Sequence, residues 1–204
     1  MLYEKELIAH KLNQWEAFIE DYHLPPWQTI PDIGLYMEQV VILLGQYLSF
    51  MPDPDERRDR QLTSSTINNY VRLKLMPPPV KKKYYRVHIA YLILILTLKQ
   101  SLSIQEIQRA IPTDLDAVQM QALYCDYAER FRAVSLFFAA QARAAAQEAL
   151  QGESSGDAAG SSLVIKGALV SGFARILAEK ILHLQGVSLA QALNEKAEPA
   201  QEKR

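Results

Sequence analysis

Positions 62–78 read Leu-Thr-Ser-Ser-Thr-Ile-Asn-Asn-Tyr-Val-Arg-Leu-Lys-Leu-Met-Pro-Pro, and on a helix these side chains sort into two faces. At 3.6 residues per turn, Ile67, Tyr70 and Val71 share one face, while Ser65, Asn68, Asn69 and Arg72 share the other. The second face offers paired donors and acceptors and one guanidinium. An Asn amide can bond two atoms on an adenine edge, and Arg can grip a guanine or a phosphate. At the helix start, the amides of residues 64–66, Thr66 among them, point where an anion would sit. Lys74 closes this stretch. Pro77, Pro78 and Pro79 forbid further helix, and Lys81, Lys82 and Lys83 follow, with Tyr84 and Arg86 just beyond. Three adjacent ammonium groups in a short extended tongue suit a phosphate backbone and carry no base preference. Taken alone, a trilysine is a solvated surface, and Tyr70, Tyr84 and Tyr85 read first as packing residues.

The charge distribution fits a segment that meets a polyanion and equally a solvated basic face. Between 57 and 109, eleven Lys or Arg stand against two Asp or Glu, so this quarter of the chain carries a surplus of nine positive charges. The whole chain has a net charge of −1, so the remainder is acidic by ten. Such segregation separates a segment that meets a polyanion from a body that does not. Other chemistry is sparse. His10, His23, His88 and His183 have no metal-site spacing. Cys125 has no cation beside it and reads as a structural thiol. With no nucleophile–base pair and no phosphate-cradling glycine loop, we expect no catalytic residue, no metal, no cofactor and no enzyme.

The elements that must position these residues are helical. Apolar residues make up 49% and charged residues 22%, the balance of a packed water-soluble domain, and a 3.6-residue period dominates. One cysteine, a charged N-terminus and no long uncharged apolar run lead us to expect a cytoplasmic protein with no membrane contact. Six segments are expected. Residues 1–29 give a helix with Ile8, Leu12, Trp15 and Ile19 inward, then a proline-rich connection. Residues 30–112 hold a helix capped by Asp32 with Met37, Val40, Val41, Leu44, Leu48 and Met51 on its core face. They also hold a charged loop with Arg57, Arg58 and Arg60, a capped helix over about 64–74, the basic tongue at 80–86, a buried helix at 87–100 and a last helix from 104 with a Ser103/Glu106 capping box. Residues 113–150 form a long helix striped by Leu115, Val118, Ala122, Tyr127, Phe131, Val134 and Phe138, with a weakly packing Ala-rich end. Residues 151–162 read as a flexible Gly/Ser linker. Residues 163–185 give a helix with Ile165, Leu169, Phe173, Ile176 and Leu177 inward, and 186–204 a polar tail.

The pattern Thr66-Ile67-x-x-Tyr70-x-Arg72-x-x-Leu75-Met76-Pro77-Pro78, then Tyr84, a buried helix and Ser101-Leu102-Ser103-Ile104-Gln105-Glu106-Ile107, resembles the winged helix-turn-helix of MerR-type regulators. In that family Thr-hydrophobic-Arg-Tyr-Tyr-Glu opens the recognition helix, Gly-Leu-Leu-Pro leads into the wing, and Phe-Ser-Leu-Glu-Glu-Ile starts the last helix. Asp32-Ile33-x-x-Tyr36-Met37-x-Gln39-Val40, Asn68-Asn69-Tyr70-Val71 and Lys82-Lys83-Tyr84 are similar to a bacterial family known as domain of unknown function 1836. The likeness covers about 30–111. Asn68 and Asn69 depart from the MerR pattern, and Lys74 stands where it has glycine. The resemblance implies an all-α fold, a winged helix-turn-helix with a small two-stranded wing plus a C-terminal helical region. It implies a transcriptional regulator that contacts double-stranded DNA through Ser65, Thr66, Asn68, Asn69, Arg72, Lys74, Lys81, Lys82, Lys83, Tyr84 and Arg86. It also implies a homodimer through the helices of 114–184. The alternative is a helical protein-interaction module that keeps the winged fold and has no specific DNA target.

Overall fold

The computed structural model describes residues 3–51, 62–152 and 155–187. The expected charged loop with Arg57, Arg58 and Arg60, and residues 188–204 of the expected polar tail, lie outside them. Among the described residues the chain is mostly helical, with seven α-helices and no strand. They are α1 (Lys5–Asp21), α2 (Met37–Tyr47), α3 (Ser64–Arg72), α4 (Arg86–Leu98), α5 (Ile104–Ala110), α6 (Ala117–Gln151) and α7 (Gly156–Leu182), with a 3₁₀ turn at Trp27–Thr29.

Helix α4 is the hub. Its sequence is apolar all round, which only a fully enclosed helix tolerates, and His88 through Leu96 are all buried. Leu24, Trp27 and Ile30, from the connection after α1, belong to the same core cluster. Val40, Leu44 and Leu48 come from α2, Ile67 and Tyr70 from α3, Ile107 from α5, and Met120 and Tyr124 from α6. Several hydroxyls carried inside find partners. Tyr124 Oη donates to Pro25 O at 2.7 Å, Tyr91 Oη to Pro112 O at 3.0 Å, and the Thr97 and Tyr127 hydroxyls lie 2.6 Å apart.

Helix α6 leaves this core and continues as a rod about 50 Å long. Asp116 starts it, accepting from Gln119 N at 2.8 Å while the Gln119 side chain accepts from Asp116 N at 3.0 Å. Helix α1 lies along its second half. There Ala139, Ala142, Ala146 and Ala149 are buried, facing Ala9, Glu16 and Ile19. This corrects two expectations. The Ala-rich end packs tightly, because alanines let two backbones approach closely. The stripe is also rotated: Val118 and Val134 face solvent, and on α1 Trp15 is exposed while Ala9 and Glu16 are inside. Two arginines of α6 make the turn of α1 affordable. Arg132 donates to the carbonyls of Ile19 and Tyr22, each at 3.0 Å, and Glu20 at 2.6 Å, satisfying the end of α1. Arg143 pairs with Glu16 and with Glu20, the latter at 2.9 Å.

Three further expectations change. Asp32 does not cap α2; Tyr36 is the cap residue, its N–H donating to the Gln39 side chain at 2.9 Å, and Asp32 lies 3.9 Å from Arg86 instead. The expected linker is largely helix. Ser155 caps α7, and Gly156 and Gly160 belong to its first turns. These glycines serve close approach: a Cβ on Gly156 would fall 2.1 Å from Tyr3 O, and one on Gly160 2.6 Å from the Tyr3 ring. Finally, Ile165, Leu169, Phe173, Ile176 and Leu177 do not turn inward. All are exposed; among the described residues α7 meets the rest of the chain near its two ends and through an exposed Lys166–Glu148 ion pair at 3.0 Å.

Candidate functional site

Helix α3 is built as its sequence requires. Thr63 Oγ1 accepts from Thr66 N at 3.2 Å and caps the start. Ile67 and Tyr70 are buried on the core side, and Ser65, Asn68 and Arg72 stand in solvent, with Thr66 and Asn69 half-buried. Arg72 Nη2 donates to Asn69 Oδ1 at 2.7 Å, so amide and guanidinium form one polar unit on the outer face. The helix ends in a Schellman motif. Lys74 N donates to Val71 O and Leu75 N to Tyr70 O, both at 3.0 Å, and Lys74 occupies the left-handed position with φ of 56°. Buried Leu75 supplies the apolar contact that accompanies this cap. Gln108 of α5 fastens the exit, donating to Leu73 O at 2.6 Å.

The basic tongue is a minimal hairpin. Val80 and Lys83 exchange both backbone hydrogen bonds at 3.0 Å, and the two residues between them, Lys81 and Lys82, have φ of 51° and 63°. Left-handed backbone at both central positions defines a type I′ turn, a geometry that favours Asn-Gly or Gly-Gly. The hairpin reduces to isolated bridges, Val80 with Lys83 and Leu35 with Tyr84, so the expected two-stranded wing has no strand among the described residues. Its base is anchored by His88. Tyr85 N donates to His88 Nδ1 at 3.1 Å, which makes Nδ1 the acceptor and leaves Nε2–H to donate to Pro78 O at 3.0 Å.

The candidate residues therefore fall into groups. Ser65, Asn68, Asn69, Arg72 and Lys74 lie together on and just after α3. Lys81 and Lys82 are exposed at the hairpin tip. Lys74 and Lys81 are seven residues apart, so their Cα atoms lie within about 25 Å of each other. The other members point elsewhere. Lys83 is half-buried, its ammonium 5.3 Å from the centre of the Tyr36 ring and its stem packed over Gly34. Tyr84 is buried, with its ring edge-on to His88 at 5.7 Å, and cannot reach a ligand. Arg86 donates to Ile30 O at 2.7 Å and lies 5.7 Å from the Trp27 ring, tying the 3₁₀ turn to α4. These three shape the tongue from beneath.

Sequence reasoning missed Lys99. It extends from the end of α4 with its ammonium 5.7 Å from the centre of the Tyr70 ring, behind α3. Twenty-nine positions separate the pair, and only packing of α3 on α4 joins them. Burial raises the Tyr70 phenol to about 12, and its hydroxyl has no hydrogen-bond partner among the described residues. Elsewhere, hydrogen bonds from Ser103 hold the Glu106 carboxyl below its usual range, the electrostatic mark of the capping box on α5. A cleft between the end of α6 and the start of α7 encloses about 120 Å³ and is lined by Ala145, Ala149, Ala158 and Ala159 among others. Ligand pockets usually run to about 300–1,000 Å³.

Residues 25–128 match a family model described as a domain of unknown function, DUF1836. No curated protein and no solved structure matches the chain. The matched span holds the 3₁₀ turn, α2 to α5 and the core-bound start of α6, and so includes both lysine turns; α1 and α7 lie outside it. The chain belongs to this family of unknown function.

Proposed function

We propose that the protein is a DNA-binding regulator of MerR-like winged helix-turn-helix type, working as a pair of copies. The outer face of α3 enters a groove of double-stranded DNA, and the Lys81–Lys82 turn lies on the phosphate backbone. One observation carries this reading. Among the described residues, every non-glycine with positive φ is a lysine: Lys74, Lys81 and Lys82. A side chain in left-handed backbone costs about 1–2 kcal/mol per residue. Turns of this geometry take Gly or Asn when only the turn matters. Lysine at all three positions keeps charge at the tips of two tight turns, and strain held in this way marks a functional surface. The +9 surplus of the surrounding segment agrees with an anionic partner.

The double variant Lys81→Asn/Lys82→Gly separates charge from turn. It installs the favoured type I′ pair and removes two ammonium groups. The melting temperature of the variant should rise or hold. Its affinity for bulk duplex DNA should fall, and the slope of log K against log salt should flatten by about 2, roughly 0.9 for each lost phosphate contact. Undetectable binding by the parent protein at low salt, or an unchanged slope in the variant, would sink the proposal. A second reading, a protein-interaction module, is favoured by the exposed apolar side chains of α7.

A further inference from the structure

The exposed middle of α7 is the largest unexplained feature of the molecule. From 164 to 177 every residue is exposed, on the side facing the body as well as the side away from it. The ends are docked. At the start, Gly156 and Gly160 press against Tyr3, and Asp157 accepts from Tyr3 N at 2.8 Å. At the far end, Gln185 donates to Arg109 O at 3.1 Å, and Ala178, Glu179 and Leu182 are half-buried. Between them the helix stands off from the body like a handle, bridged by one exposed ion pair, Lys166 with Glu148 of α6 at 3.0 Å.

The exposed residues follow a pattern. Ile165, Leu169, Gly172 and Ile176 recur at spacings of four, three and four, the seam of a coiled coil, and Val170, Phe173 and Leu177 repeat that rhythm beside it. On one side of the helix, Ile165, Leu169, Val170, Phe173, Ile176, Leu177 and Ile181 are each 48–70% exposed. Together they present roughly 600–800 Å² of apolar surface. A monomer's largest patch is about 300–600 Å², whereas one side of a standard protein interface is about 800 Å². Leu184 and Val187 extend the surface further.

We infer that this face is covered by α7 of a second copy, the two helices packing antiparallel about a two-fold axis at Gly172. A glycine there lets the backbones cross closely, and a two-fold pairing covers the same face on both copies at once. The long helix α6 offers less: α1 of the same chain occupies its buried face, and the exposed apolar residues Val134, Leu136, Phe137 and Phe138 span little more than one turn. Nor is the bilayer the occupant, although α7 is long and apolar enough to cross one. A spanning helix emerges on opposite sides of the membrane, and both ends of α7 are fastened to one protein body about 40 Å apart. The inference refines the pairing of copies in the reading above and holds whether or not those copies bind DNA.

The test uses the full chain without DNA. Sedimentation equilibrium at micromolar concentration should give a dimer, and Leu169→Glu/Phe173→Glu should give a monomer with undiminished helical circular dichroism. In a Cys125→Ser background, Gly172→Cys should cross-link to its copy under mild oxidation. A parent protein that stays monomeric, a glutamate variant that stays dimeric, or a monomer that floats with phosphatidylglycerol/phosphatidylcholine vesicles would overturn the seam. The two proposals also fail separately. A dimer without DNA affinity removes only the earlier reading, and a monomer that still binds DNA removes only this one.

Discussion

Helices α6 and α7 are both long, yet among the described residues only α6 has another helix packed along it. The second half of α6 buries four alanines under α1, while α7 exposes Phe173, Leu169, Ile176 and Leu177. Apolar content alone does not decide which face is covered. Alanines allow a close crossing, and polar groups at the rim then complete it: Arg132 satisfies the end of α1, and Arg143 neutralises the buried Glu16. Around the middle of α7 the described residues offer no matching apolar surface, and the one polar contact, Lys166 with Glu148, is itself exposed.

The contrast can be broken in solution, most steeply by alkali. Burial raises the phenols of Tyr22, Tyr124 and Tyr127, all packed along α6 and its core, and α7 has no tyrosine. Tyr70, on α3, is raised to about 12 from an ordinary value of 10.0. Unfolded, these groups ionise near 10, so their contribution is complete below that pH and drains away as pH rises from 10 through the folded values. Each such group removes about 1.4 kcal/mol per pH unit in that window. Urea melts from pH 8 to 11 should show stability level at first and falling sharply beyond 10, with the tyrosinate absorbance of the buried groups appearing together with unfolding. Absorbance exceeding what exposed tyrosines such as Tyr3 and Tyr36 supply, well before unfolding, would contradict the enclosed core around α6.

Smaller effects sharpen the comparison residue by residue. Ala146→Leu adds bulk where α1 and α6 touch and should cost about 1–3 kcal/mol in chemical denaturation. The same change at exposed Ala174 of α7 should stay within about 0.5 kcal/mol. Equal costs would mean that the two surfaces are packed alike. Within α7 itself, Gly160→Ala puts a methyl 2.6 Å from the Tyr3 ring, whereas a methyl on Gly167 meets nothing within 4 Å. The first should lower the melting temperature. The second should raise stability by about 0.5–1 kcal/mol through helix propensity. The sign change across seven residues would locate where the docked end of α7 stops.

Much of the molecule was legible in order along the chain. The capped helix α3, the proline stop, the enclosed α4 and the Ser103–Glu106 box follow from local chemistry: a hydroxyl finds an amide three residues on, and proline ends a helix wherever it lies. The alternation of Ile67 and Tyr70 inside with Ser65 and Asn68 outside is likewise local. The candidate site was legible only in part. Charge count and position pointed to Lys81 and Lys82, yet nothing local distinguished them from Lys83, Tyr84 and Arg86, which the fold turns to other partners. Lys99 joins Tyr70 only through helix packing.

The sequence by itself determined which segments are helical, where most of them begin and end, and that basic charge gathers around α3 and the tongue. These depend on neighbours within one or two turns. Tertiary structure decided which faces of α1, α6 and α7 are buried. It chose Ala9 over Trp15, rotated the stripe of α6 onto its alanines, made Gly156 and Gly160 a contact instead of a linker, and left α7 uncovered. Periodicity says that a face is apolar but not what covers it, because burial depends on the shape of a second surface that lies far away in the sequence.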